Sequence, residues 1–265
     1  MIDLYGCGSP NVLKVLLMLE ETGLSYRLHR VDVHSGEQFA PSFLALNPNA
    51  KVPVIVDRDV EGGPFTVFES GAILAYLAEK TGRFMGRTLR ERSECLQWTM
   101  FQVANIGPMF GQALHFQFIA PAGNEYARRR YLSEVRRVYD VAEARLSCSA
   151  WLGGSDYTIA DIAAWPWLGK YCRYPGIALP LDAHPHLCRW ISAVEARPAY
   201  ARIHEAFKAL FKATLDAQRE ASPDELDRFF GRGRYSRATD LPAAMTAESS
   251  SDGPVPGRSN GNTAE

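Results

Sequence analysis

A proline opens the apolar strand Lys51-Val52-Pro53-Val54-Ile55-Val56-Asp57, and shortly afterwards Phe68-Glu69-Ser70-Gly71-Ala72-Ile73 leads an acid and a hydroxyl into a helix. Proline has no N–H to donate, so it belongs at the start of a strand and not in its middle. That placement leaves Val52 with a backbone N–H and C=O available to an extended peptide. Ser70 stands where an N-cap is expected, ahead of the apolar run Ala72-Ile73-Leu74-Ala75-Tyr76-Leu77. Unpaired backbone N–H groups and the positive end of that helix form an anion site. A peptide-pairing edge next to a carboxylate cradle predicts a small peptide ligand carrying carboxylates.

The remaining composition narrows the class. Of 265 residues, 46% are apolar, which is enough for a sizeable core. A formal charge of -1, with no basic stripe interleaved with aromatics, argues against nucleic acid as a partner. No apolar run reaches the roughly 18–20 residues of a membrane span. Met1-Ile2-Asp3-Leu4-Tyr5 reads as a strand and not a secretory signal, since it lacks a basic leader and a small-residue cleavage site. Cys7, Cys95, Cys148, Cys172 and Cys188 are scattered, odd in number and without a CxxC pair, so no zinc site or disulfide framework is expected. A reducing cytoplasm and no metal are the corresponding expectations. The missing CxxC also excludes a thioredoxin-type redox centre.

Three segments follow from the periodicities. Residues 1–82 alternate strand and helix in the order β-α-β-α-β-β-α, with a helix from Pro10 to Gly23 whose Val12, Val15, Leu16 and Leu19 share one side. Gly62-Gly63 marks a hairpin turn, and Gly82 stops the helix that starts at Ser70. That order predicts a thioredoxin-like α/β half, its first two strands parallel and its last two antiparallel. Residues 88–220 carry helical periodicity throughout. There Thr158-Ile159-Ala160-Asp161 reads as a capping box, with Tyr157 and Ile162 as its hydrophobic staple. Residues 221–265 form an extension: Ser222-Pro223-Asp224-Glu225 caps one short helix to Phe230, and the stretch after about 245 is predicted to be disordered.

Five motifs in this order resemble those of cytosolic glutathione transferases: Ser9-Pro10-Asn11, the Gln38 segment, Asn49-Ala50-Lys51-Val52-Pro53, Phe68-Glu69-Ser70-Gly71-Ala72-Ile73-Leu74, and Trp151-Leu152-Gly153-Gly154. They are most similar to the bacterial Nu-class branch and its Ure2-like relatives, over roughly residues 1–215. The resemblance implies an α/β thioredoxin-like half followed by an all-α half. It implies glutathione as co-substrate, with Pro53 cis and Val52 pairing the tripeptide backbone. Glu69 and Ser70 then hold its γ-glutamyl end, and Lys51 and Gln38 its glycyl end and backbone. It further implies a two-fold dimer, in which Arg130 reaches the partner subunit's glutathione. The Nu branch carries a Thr-Pro-Asn turn beside the sulfur. Here Ser9 keeps the hydroxyl without the methyl, and Asn11 donates through its amide, so both are expected to stabilise a thiolate without a general base.

Other residues carry two readings. Cys7, two positions before Ser9, is either a thiol able to form a mixed disulfide with glutathione or a small packed residue at a strand end. Trp98, Phe101, Phe110, Phe116 and Phe118 are either lining for an apolar acceptor pocket or core. His29, His34, His115, His184, His186 and His204 show no metal spacing, and Gly107-Pro108-Met109-Phe110-Gly111 interrupts a long helix. Two function classes follow. One is an enzyme that reduces small disulfides or conjugates electrophiles with glutathione. The other is a Ure2-like regulatory or glutathione-binding protein, an option raised by the extension.

Overall fold

The computed structural model describes residues 1–171 and 181–236. The expected disorder beyond about residue 245, and Cys172, lie outside the described residues. Four strands, β1 (Ile2–Gly6), β2 (Tyr26–Arg30), β3 (Val54–Asp57) and β4 (Phe65–Phe68), form one sheet in the order β2-β1-β3-β4. β1 runs parallel to β2 with Ile2 opposite Tyr26, whereas β1–β3 and β3–β4 are antiparallel. Helix α1 (Pro10–Thr22) makes the crossover, and α2 (Pro41–Leu44) and α3 (Ser70–Thr81) complete this half. The mixed sheet is the thioredoxin-like arrangement expected. Gly62 and Gly63 both adopt positive φ in the β3–β4 turn, a conformation open to glycine at no steric cost.

From Leu89 onward the described residues form helices: α4 (Leu89–Phe101), α5 (Gly107–Phe118), α6 (Glu125–Cys148), α7 (Ile159–Tyr171), α8 (Pro185–Glu195), α9 (Pro198–Glu220) and α10 (Pro223–Phe230). The interruption at Gly107-Pro108 takes a definite form. Gln102–Ile106 is a π-helical turn between α4 and α5, closed by the Gly107 N–H donating to the Gln102 carbonyl. Proline has no N–H and its ring crowds the preceding turn. A wider turn just upstream lets the chain continue as helix with a changed facing.

Helix α1 is buried more completely than an amphipathic helix. Ser9 caps it, Gly23 ends it in the left-handed conformation, and every residue from Val12 to Leu19 is buried, Lys14 included. The sequence pattern predicts one buried side. The rest is covered because α3, α7 and α9 all pack on it, and a helix surrounded on all sides has no solvent face. Gly8 permits part of this approach: a Cβ there would lie 2.4 Å from the Phe211 Cα of α9, while the Gly8 N–H donates to Thr214 Oγ1 at 2.8 Å.

Asp161 ties the helical half together. It is fully buried, and its Oδ1 accepts from the Leu152 N–H at 2.8 Å and from Trp190 Nε1 at 2.8 Å, while Oδ2 accepts from the Thr158 N–H at 3.0 Å. The Thr158 hydroxyl accepts from Ala160 N–H, one residue earlier than the expected Asp161 N–H. Burial raises the Asp161 pKa, opposed by these donors. Replacing the carboxylate strands several buried donors at about 1–3 kcal/mol each. Asp161→Ala is therefore expected to cost about 3–5 kcal/mol and to lower the melting temperature by on the order of 10 °C. Calorimetric melting within 2–3 °C of wild type (about 1 kcal/mol) would remove Asp161 as the tie.

Candidate functional site

Turn by turn, the loop before β3 is built to leave its last residues free. Asn47 Nδ2 donates to the Lys51 carbonyl at 2.7 Å, Asn47 Oδ1 accepts from the Asn49 N–H at 2.9 Å, and Ala50 sits at φ 54°. The Val52–Pro53 peptide is cis. Val52 is half-buried, and among the described residues its backbone N–H and C=O have no hydrogen-bond partner. Across from it, β4 runs into α3. The N-cap is Glu69 and not Ser70, which is instead the first helical residue. Glu69 holds φ 66° and ψ 113°, a backbone conformation that costs a non-glycine residue on the order of 1–3 kcal/mol. No side chain caps α3, so its first N–H groups stay available to an anion.

These elements open onto a cavity of about 900 Å³ between the two halves. Asn11 and Lys14 from α1, Lys51, Glu69 and Ser70 contribute polar groups from one half. Gln102 of the π turn faces them from the other. Gly107, Pro108, Gly111 and His115 lie along one stripe of α5, and Trp167 of α7 adds an aromatic surface. Phe229 and Phe230 of α10 also line the cavity.

Not all of the expected residues reach it. Ser9 is half-buried at the cap of α1, where its hydroxyl accepts from the Val12 N–H at 3.4 Å, and it does not form part of the cavity lining. Gln38 is turned into its own loop: it is buried, its Nε2 donates to the Val33 carbonyl at 2.9 Å, and it does not line the cavity. Arg130 lies exposed on α6 beside Tyr126 and Glu134, outside this chain's cavity. Cys7 is buried, and its thiol is pushed up to about 11 by that burial. A thiol so raised is almost entirely protonated at neutral pH, which favours the packed-residue reading over the redox one. The five aromatics read as either pocket lining or core lie outside the cavity lining: Phe110 is core, Trp98 packs on Phe101 under Arg145, Phe116 stacks on Tyr131, and Phe118 is exposed. For Phe110, Phe116 and Phe118 the facing of α5 after the π turn decides this, because it aims the glycine and proline stripe at the cavity.

Lys14, Gln102, Trp167, Phe229 and Phe230 were not anticipated. Lys14 had a signal, a lone charge inside the apolar run of a helix, one turn past Asn11. Gln102 depends on the π turn. Phe229 and Phe230 depend on where α10 docks. That helix starts with a reciprocal cap, Ser222 Oγ accepting from the Glu225 N–H and Glu225 Oε2 accepting from the Ser222 N–H at 2.8 Å. Phe229 then packs on His34 of the first half, with ring centroids 4.8 Å apart, and Phe230 on His115 of α5 at 5.7 Å. The Arg228 guanidinium lies over Phe39, 4.5 Å from its centroid. The extension thus bridges both halves across the cavity.

Comparison with known proteins places this geometry. Residues 2–79 match the glutathione S-transferase N-terminal domain and residues 106–198 the glutathione S-transferase C-terminal domain. The chain is 46% identical over 224 residues to the disulfide-bond oxidoreductase YfcG of Escherichia coli, covering 84% of this chain and 100% of that protein. A glutathione transferase family member from Pseudomonas fluorescens, solved with two glutathione bound, superposes with a TM-score of 0.72 at 40% identity, covering 76% of this chain and 91% of that one. A glutathione transferase from Pseudomonas putida with one glutathione disulfide per subunit superposes with a TM-score of 0.71 at 37% identity, over 76% and 89% of the two chains. Helix α10 lies beyond the matched C-terminal domain.

Thiol exposure separates the cysteines. Brief iodoacetamide treatment at neutral pH is expected to label exposed Cys148 and to spare buried Cys7 and Cys95, as read by peptide mass spectrometry. Cys7 alkylated as fast as Cys148 would restore it as a reactive thiol.

Proposed function

The chain belongs to the glutathione S-transferase family, and from that membership we propose that it binds glutathione in the cavity between its halves and uses the thiolate to reduce small disulfides. The observation that carries this reading is the convergence of Asn11, Lys51, Glu69 and Ser70 on one cavity beside the unpaired backbone of Val52. A tripeptide laid along that edge pairs its cysteine backbone with the Val52 N–H and C=O. Its γ-glutamyl carboxylate takes the Ser70 hydroxyl and the uncapped N–H groups of α3, and its ammonium takes the Glu69 carboxylate. Lys51 holds the glycyl carboxylate. Gln38 supports the adjoining loop from within. The Asn11 amide donates to the sulfur, and Ser9, outside the cavity lining, caps α1 and so fixes the turn that carries Asn11.

The chemistry then needs no cysteine of the protein. The thiolate of one glutathione attacks the substrate disulfide, forming a mixed disulfide and releasing one substrate thiolate. A second glutathione thiolate attacks the glutathionyl sulfur of that mixed disulfide, giving glutathione disulfide and the second substrate thiol. Two glutathiones are oxidised and one disulfide reduced. Support comes from the cavity volume of about 900 Å³ and from the relatives that hold two glutathiones or one glutathione disulfide. With Cys7 buried, the second thiol is supplied by the second glutathione. The resemblance of the motif set supports placing the chain in the Nu-class branch. The exposure of Arg130 on α6 suits a two-fold dimer in which it contacts the partner's glutathione. No described helix is long and apolar enough to cross a membrane, and we assign the protein to the cytoplasm.

The test is turnover of 2-hydroxyethyl disulfide with glutathione, followed through coupled reduction of the glutathione disulfide produced. Asn11→Ala is expected to lower the rate by about 10²-fold, the usual effect of removing one preorganised donor from a developing or resident anion. Cys7→Ser should stay within about twofold of wild type, since no step above uses that thiol. Undiminished activity in Asn11→Ala would discard the thiolate assignment, and turnover of aryl halides alone would move the reaction class to conjugation.

A further inference from the structure

Lys14 is a cation inside the cavity wall whose presence the packing does not explain. It lies one turn after Asn11 on α1, on the same side of the helix, and is 1% exposed. Its Nζ donates to Gln102 Oε1 at 2.7 Å, and both residues line the cavity beside Asn11 and Glu69. It makes no ion pair among the described residues, unlike Lys80, whose Nζ lies 2.7 Å from Asp57 Oδ2. Burying an ammonium against a neutral acceptor is unfavourable unless a negative charge joins it. Burial accordingly pushes Lys14 down to about 7, with the Glu69 carboxylate pulling the other way.

The partner is specifically placed. Gln102 is itself buried and begins the π-helical turn, a rare element that recurs at functional sites. The absence of a side chain at Gly107 leaves it room: a Cβ there would come within 3.2 Å of Gln102 Nε2. An interrupted helix, a glycine and a buried amide therefore combine to hold one ammonium toward the cavity. A strut between α1 and the π turn would be served as well by two apolar side chains, without the burial of charge.

We propose that Lys14, held in the cavity wall by Gln102, supplies a positive charge to the glutathione sulfur, its ammonium form and the thiolate stabilising each other in the bound state. The inference rests on the glutathione reading above and extends it from hydrogen bonding by Asn11 to a full charge. Bound thiol ionises by losing its proton to water, and the resulting anion and the ammonium each favour the other's charged form. The other titratable groups facing the same space are Glu69 at the head of α3, Lys51 on the loop before β3, and His115 on α5, whose pKa burial lowers. Of the four, Lys14 shares α1 with Asn11 and is the most deeply buried, where a charge is screened least.

The experiment titrates the thiolate absorbance near 240 nm of glutathione bound to the full-length protein, with affinity measured in parallel by calorimetry. Lys14→Met is expected to raise the apparent pKa of the bound thiol by one unit or more, about tenfold less thiolate at neutral pH. The affinity for glutathione should change by less than about threefold, and the turnover number should fall with the thiolate fraction. Lys14→Arg keeps the charge and should retain most of the wild-type titration. Gln102→Leu, which leaves the lysine but removes its acceptor, should give an intermediate shift and guards against a misfolded Lys14→Met. A bound-thiol pKa unchanged in Lys14→Met and Gln102→Leu overturns the inference, even where activity drops, because a strut would lower stability without moving the titration. Wild-type protein that fails to bind glutathione sinks the underlying reading instead, a different result from binding with an unmoved pKa.

Discussion

The burial of α1 on every side positions the chemical groups of this molecule. Because α3, α7 and α9 all pack against it, the helix has no freedom to rotate, and the side chains at its first turn inherit that rigidity. Asn11 and Lys14 enter the cavity only because Val12, Leu13 and Val15 through Leu19 hold the rest of the helix in core. The Gly8 contact with α9 belongs to the same constraint, since any side chain there would lift α9 from the turn that carries Ser9.

Burial of charge is handled differently in the two halves. Asp161 is surrounded by three N–H donors, which offset part of the cost of its burial, and its role is structural. Lys14 has one neutral acceptor and faces open volume. The contrast separates a fully satisfied buried ion from one left with capacity for a ligand. The same distinction holds on the opposite lip, where α3 starts without a side-chain cap and Glu69 occupies a strained backbone conformation. Both depart from local preference at the place where a ligand would supply the missing interactions.

Helix α10 gives the cavity a wall that neither matched domain provides. It has a reciprocal cap and a left-handed Gly231 at its end, yet none of its residues is fully buried. Its attachment rests on a few aromatic and cation–π contacts, Phe229 on His34, Phe230 on His115 and Arg228 over Phe39. Such contacts are worth on the order of 0.5–1.5 kcal/mol each, so the segment is held far less firmly than the core helices.

Local chemistry made much of this protein legible in the chain itself. Strand and helix order, the parallel and antiparallel pairings, the left-handed glycine stops and the unpaired backbone at Val52 all follow from near-neighbour sterics and period, which act within a few residues. The entry into α3 at Glu69-Ser70 was legible too, although the cap proved to be Glu69. Tertiary structure alone decided which side chains share the cavity. Gln38 and Cys7 turn inward, the aromatics of α4 and α5 go to core or outer faces, and Gln102, Trp167, Phe229 and Phe230 come to the site instead. The physical reason is rotational phase: a π turn re-aims every residue after it, and a docked helix chooses its own face, so neither outcome is encoded in spacing along the chain.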